Sequence, residues 1–151
     1  MTGPSISLLP VGGARSPLRT DSWLSAVVEP STGDVLLAVV REKGTQVGIW
    51  RLHDGQLVPA ALGQGAIGFP LDERPVRAWL YTRRDGSIGA LWLLEQSWRE
   101  KKLVETRWDG KQFVATSAIY DSPAKDSSLL PVFDPVRDVL VLLTTFICAV
   151  S

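Results

Sequence analysis

Ile88-Gly89-Ala90-Leu91-Trp92-Leu93-Leu94, a polar stretch, and then Leu103-Val104-Glu105-Thr106-Arg107-Trp108-Asp109-Gly110-Lys111-Gln112-Phe113-Val114 decide the fold. The first run is short, uncharged and rich in residues that pack on a pleated surface. The second places Asp-Gly between two apolar runs. That is a strong hairpin signal, because Gly accepts the positive φ that a type I′ turn demands. A strand, a loop and a hairpin therefore follow one another within 27 residues.

The rest of the chain repeats this grammar. Apolar runs of four to eight residues, rich in Val, Leu, Ile and Trp, are separated by Pro30-Ser31-Thr32-Gly33-Asp34, Asp54-Gly55, Arg84-Asp85-Gly86 and Asp134-Pro135. Few stretches carry the three- and four-residue apolar spacing of a long helix. The order of the runs recurs. Residues 24–28, 35–40, 47–52 and 56–58 form one set. Residues 78–82, 88–94, 103–108 and 111–114 form a second, and 129–133 with 139–143 opens a third. Gly55 and Gly110 lie 55 residues apart, Asp34 and Ser87 53, and Ser87 and Asp138 51. Four strands per unit at a period near 50 is the range of propeller blades. The expected fold is all-β, with propeller-like four-stranded antiparallel blades, about three per chain; a β-sandwich or barrel is the alternative. The chain reads as a single domain, 1–151, with units at 21–60, 74–116 and 125–151. Alternation across the second strands places Val35, Leu37, Val39, Leu91, Leu93, Val139 and Val141 in the core.

Trp50-Arg51-Leu52-His53-Asp54-Gly55 and Thr106-Arg107-Trp108-Asp109-Gly110-Lys111-Gln112-Phe113 resemble the third-strand, turn, fourth-strand signature of diverged bacterial kelch-like propellers. Val28-Glu29-Pro30-Ser31-Thr32-Gly33-Asp34-Val35-Leu36 and Val132-Phe133-Asp134-Pro135-Val136-Arg137-Asp138-Val139-Leu140 resemble the first strand, turn and second strand. The resemblance covers most of residues 20–145. The double Gly that usually ends the second kelch strand is absent, and Val40-Arg41, Leu94-Glu95 and Thr144-Thr145 stand there instead. The resemblance implies blades around a central channel, with ligands bound at one face of it. It does not select among functions that range from sugar oxidation to adaptor binding.

The third unit lacks a fourth strand, while residues 5–11 have no place in the first. They are expected to supply the missing strand and to pair near residues 145–150, protecting an exposed edge. Three blades do not readily enclose a ring, but two chains supply six. The expectation is a homodimer.

Composition narrows the function. The 151 residues carry 16 Lys and Arg against 16 Asp and Glu, which argues against a phosphate track and a nucleic-acid partner. One Cys and one His leave no intrachain disulfide, multi-Cys zinc site or His-paired metal site, and no metal or cofactor is expected. The N-terminus lacks a signal peptide's charged start and apolar core. The apolar run 139–150 is shorter than the about 20 residues of a membrane span. A cytoplasmic location, away from membranes, is the expectation.

Few residues offer chemistry. His53 stands beside a turn. Gly63-Gln64-Gly65-Ala66-Ile67-Gly68 fits the dinucleotide fingerprint only formally, since Phe69-Pro70 follows where a helix is required. Asp34, Asp54, Asp85, Asp109, Asp134 and Asp138 all sit at turns, where Asp caps nearby N–H groups. Trp50, Trp79 and Trp92 lie in apolar runs and read as core. Trp98 is set in Gln96-Ser97-Trp98-Arg99-Glu100-Lys101-Lys102, a polar loop, as a contact residue or a flap on a neighbouring blade. Trp98, Arg99 and His53 are the candidate ligand-binding residues; none is assigned a catalytic role. The leading reading is a non-enzymatic binding or scaffolding module built as a half-propeller, with a protein or carbohydrate ligand. A lectin-like carbohydrate binder and an enzyme with an inter-chain site are the alternatives.

Overall fold

A computed structural model describes residues 12–13, 22–41, 47–62, 68, 74–97, 100–121 and 129–144. The regular structure among them is entirely β: β1 (Gly12–Gly13), β2 (Ser22–Val28), β3 (Val35–Arg41), β4 (Val47–His53), β5 (Gln56–Leu62), β6 (Arg74–Thr82), β7 (Ile88–Ser97), β8 (Glu100–Trp108), β9 (Phe113–Asp121), β10 (Leu129–Asp134) and β11 (Val139–Thr144). Strands β2 to β5 form an antiparallel meander, with β1 added parallel to the outer edge of β5. Strands β6 to β9 form a second four-stranded meander, and β10 pairs with β11. No helix among the described residues is long and apolar enough to cross a membrane. Residues 5–11 and 145–150, expected to pair with each other, lie outside the described residues.

Turn chemistry sets the hairpins. At Asp54-Gly55 both residues have positive φ, 48° and 75°, and His53 pairs directly with Gln56. This is the two-residue turn that the Asp-Gly pair demands. The second Asp-Gly pair behaves differently. Trp108 pairs with Phe113, leaving four residues between them, and the Asp109 side chain accepts the N–H groups of Lys111 and Gln112. There the aspartate holds a longer loop together instead of sitting in a type I′ turn.

The three sheets stack face to face. One core lies between the first and second sheets and includes Leu36, Ala38, Val40, Ile49, Ala90, Trp92 and Phe113. A second lies between the second and third and includes Tyr81, Leu91, Leu93, Leu103 and Leu129, with Phe133, Leu140 and Leu142 packed on it. The middle sheet is thus covered on both sides. That is why β7 reads as an unbroken apolar run and not as an alternation.

Packing differs between places at the two interfaces. Where β2 meets β6, Ser25 and Ala78 are small enough for direct bonds between the sheets. The Trp23 indole N–H donates to the Ala78 carbonyl at 2.9 Å, and the Leu80 N–H donates to Ser25 Oγ at 2.9 Å. Across β7 to β9 the space is filled by large rings. Trp92 meets Phe113 edge-on at 5.7 Å, and Trp108 lies 5.0 Å from Phe113. At the other interface Tyr81 stacks on Phe133 at 5.0 Å. Gly89 makes room for this stack, since a Cβ there would lie 2.5 Å from Tyr81 Cε2.

The expected second-strand core holds in part. Val39, Leu91 and Leu93 are buried, Val35 and Leu37 are half-buried, and Val139 and Val141 are exposed. The first-to-second-strand turn shortens from unit to unit, closing with Val28 opposite Val35, Thr82 opposite Ile88 and Asp134 opposite Val139. Val139 and Val141 lie on the side of β11 that corresponds to Leu91 and Leu93 of β7, but no described sheet covers it.

Candidate functional site at the turn end of the sheets

The turns after β2, β4, β6, β8 and β10 gather at one end of the stack, and polar side chains link them. Glu29, at the end of β2, is buried and central. Its Oε1 accepts the Thr32 hydroxyl at 2.7 Å and an Arg51 N–H at 2.7 Å, while Oε2 accepts the Trp108 indole N–H at 3.0 Å. Arg51 also reaches Asp34 Oδ2 at 3.1 Å. Asp34 Oδ1 lies 2.6 Å from His53 Nδ1, and His53 Nε2 lies 3.2 Å from Asp54 Oδ2. The result is a chain of hydrogen bonds and ion pairs from Trp108 of the second sheet across the first sheet to the exposed His53. Between the second and third sheets the Arg84 N–H donates to Asp138 at 3.3 Å. Within the second sheet Arg83 pairs with the buried Glu105.

Each charge is tuned by its neighbours. Burial alone would raise the Glu29 carboxyl, but the bonds from Arg51, Thr32 and Trp108 outweigh it and hold it below its ordinary 4.5. The hydrogen bond from His53, with help from Arg51, lowers Asp34 below its ordinary 3.8. The hydrogen bond to Asp34, with the Asp34 and Asp54 charges, raises His53 above its ordinary 6.5. The protonated imidazole can donate from Nδ1 to Asp34 while Asp54 adds a second negative charge beside Nε2, and both favour its charged form.

This arrangement predicts a pH signature. A group whose pKa is raised by folding contributes stability below its unfolded pKa and loses that contribution as pH rises through the folded value. The melting-temperature difference between wild type and His53→Ala is expected to be largest below the ordinary histidine value of 6.5, while Asp34 stays ionised, and to shrink as pH rises above it. A difference that is flat or grows with pH would show that the Asp34–His53 contact does not form.

The sequence candidates end up in different places. His53 is in the cluster, exposed at its outer end. Trp98 and Arg99 lie outside the described residues. The strand ends that flank them, Ser97 and Glu100, pair at the end of the second sheet opposite the turns. Of the dinucleotide-like run only Gly68 is described; a Cβ there would lie 2.7 Å from the Ala115 backbone nitrogen, so it is a packing glycine. The turn aspartates divide by role. Asp85, Asp109 and Asp134 accept backbone N–H groups two residues on, as turn caps. Asp34 serves the charge chain. Glu29, Arg51 and Thr32 do not stand out in the sequence. A single Glu before a Pro and a single Arg in an alternating strand carry no local signal, and only the fold makes them partners. Among the described residues no group of three or more His, Cys, Asp or Glu side chains is placed to hold a metal ion.

No protein-family model matches the chain, and no curated protein matches it either.

Proposed function

We propose that the chain is a non-enzymatic binding or scaffolding module built as a half-propeller, with its ligand-binding surface on the rim formed by the turns. The carrying observation is the repeated direction of stacking. The middle sheet turns one face to the sheet before it and the other to the sheet after it, so both contacts run in the same sense. Sheets stacked in one sense in this way are the arrangement from which propeller blades build around an axis. The rim supports the binding reading. Its loops are fixed by Asp85, Asp109 and Asp134 and braced by the Glu29 chain, so a ligand meets a surface already ordered and little entropy is lost on binding. Arg84, Lys111 and His53 stand exposed on it. A protein or carbohydrate ligand and a cytoplasmic setting belong to this reading.

The test is a screen of the purified chain on peptide and glycan arrays. A ligand that binds wild type and loses at least about tenfold affinity in Arg84→Ala/Lys111→Ala, at unchanged melting temperature, supports the rim. Binding that falls only with Trp98→Ala would move the site to the opposite end and favour the lectin-like reading. Turnover of a substrate that depends on His53 would replace the module by an enzyme.

A further inference from the structure

Among the described residues no further sheet covers either end of the stack, and the two ends are not alike. The third sheet turns Leu140 and Leu142 inward, leaving the other face of β10 and β11 outward. That outer face is a cross-strand apolar ladder in which Leu130 opposes Leu143 and Val132 opposes Val141, all between 42% and 56% exposed. At the other end the outer side of the first sheet is exposed along β2, where Leu24 is 43% and Val28 55% exposed, while on β3 Val35 and Leu37 are half-buried and Val39 is buried. Contiguous apolar faces of this kind mark an interaction surface.

The molecule itself shows what fits each. At both internal interfaces the face equivalent to the open ladder of the third sheet packs on the face equivalent to the open side of the first. Leu36, Ala38 and Val40 of β3 meet the second sheet in the same sense as Leu91 and Leu93 of β7 meet the third. The open ends are therefore the two halves of an interface that the chain already makes twice. Such a contact is heterologous, and it closes into a ring when the rotation permits.

We propose that the open face of β10–β11 docks on the exposed β2 strip of the first sheet of a second copy, and the converse, so that two chains close one ring through two identical interfaces. This rests on the stacked-blade reading above; whether the rim binds a ligand is independent of it. Because the ring forms both contacts at once, each needs less area than the roughly 800 Å² per partner of a single standard interface.

Light scattering coupled to gel filtration tests the proposal. Wild type is expected at twice the 16.5 kDa chain mass. Val141→Asp and Leu24→Lys, each at an exposed position, are expected to keep the circular dichroism of wild type. Each alone is expected to weaken dimerisation by about 100-fold or more, because each buries an unpaired charge at both interfaces. Mixing the two variants is the decisive arm. Their heterodimer has one wild-type interface and one in which the introduced aspartate of the first variant meets the introduced lysine of the second, so dimers are expected to return. A monomeric wild type, an assembly larger than two chains, a Leu24→Lys variant that still dimerises alone, or a mixture that stays monomeric would each overturn the proposal. If either variant misfolds, Val132→Asp or Val28→Lys replaces it, and the wild-type mass decides in any case.

Discussion

A chain carrying Leu91→Asp is expected to be unfolded at 25 °C, with random-coil circular dichroism and no cooperative melt. Leu91 has no exposed surface and lies in the middle strands of the middle sheet, in the core shared with the third sheet. An unpaired charge placed there costs several kcal/mol or more, against a total stability of about 5–15 kcal/mol. The local partner makes matters worse. Glu105 sits directly opposite Leu91 on β8 and is buried, and like charges at opposed positions repel. Arg83 is already committed to Glu105 and cannot neutralise two carboxylates. The same substitution at Leu37, half-buried on the open side of the first sheet, is expected to leave a folded chain. A cooperative melt for Leu91→Asp would mean that the middle sheet is not covered on both faces.

Trp92→Ala is expected to cost about 3–5 kcal/mol, the usual range for deleting a large buried ring. Trp92 is fully buried between the first and second sheets, edge-on to Phe113. Its indole N–H donates to the Thr106 hydroxyl at 2.7 Å. Truncation opens a cavity in the ring-filled part of the interface and strips the buried Thr106 of that donor, which adds to the loss. At about 2–4 °C per kcal/mol for a domain of this size, the melting temperature falls by roughly 10 °C. Urea unfolding of wild type, Trp92→Phe and Trp92→Ala separates the terms, since Phe keeps most of the packing and loses the hydrogen bond. A loss below about 1 kcal/mol for Trp92→Ala would place the ring at the surface, contrary to this core.

The strands and turns were legible because their signals are local. Asp54-Gly55 specifies a two-residue turn through its own φ preferences, and the apolar run of β7 stands between turn residues whatever it packs against. Facing was only half legible. In β7 both faces are buried, so the sequence carries no alternation to show which residues meet which neighbour. In β11 Val139 and Val141 lie on the side that corresponds to Leu91 and Leu93 of β7, but no described sheet covers it, and nothing local in the sequence marks a sheet as terminal. The charge chain was hardly legible at all. Glu29 and Trp108 are 79 residues apart, and nothing near either one announces the other. Only His53 could be named, because it is the sole histidine and stands beside a recognisable turn.

The order of the sheets is the central claim, and proton–proton nuclear Overhauser contacts between aromatic side chains test it most directly. Trp23 of the first sheet and Trp79 of the second lie 5.8 Å apart, and Tyr81 of the second and Phe133 of the third lie 5.0 Å apart. Cross-peaks are expected from the Trp23 ring to Trp79 and from the Tyr81 ring to Phe133 in the same sample, placing the second sheet between the other two. Cross-peaks from Phe133 to Trp23, with none to Tyr81, would put the third sheet against the first and contradict the stacking on which the half-propeller proposal rests.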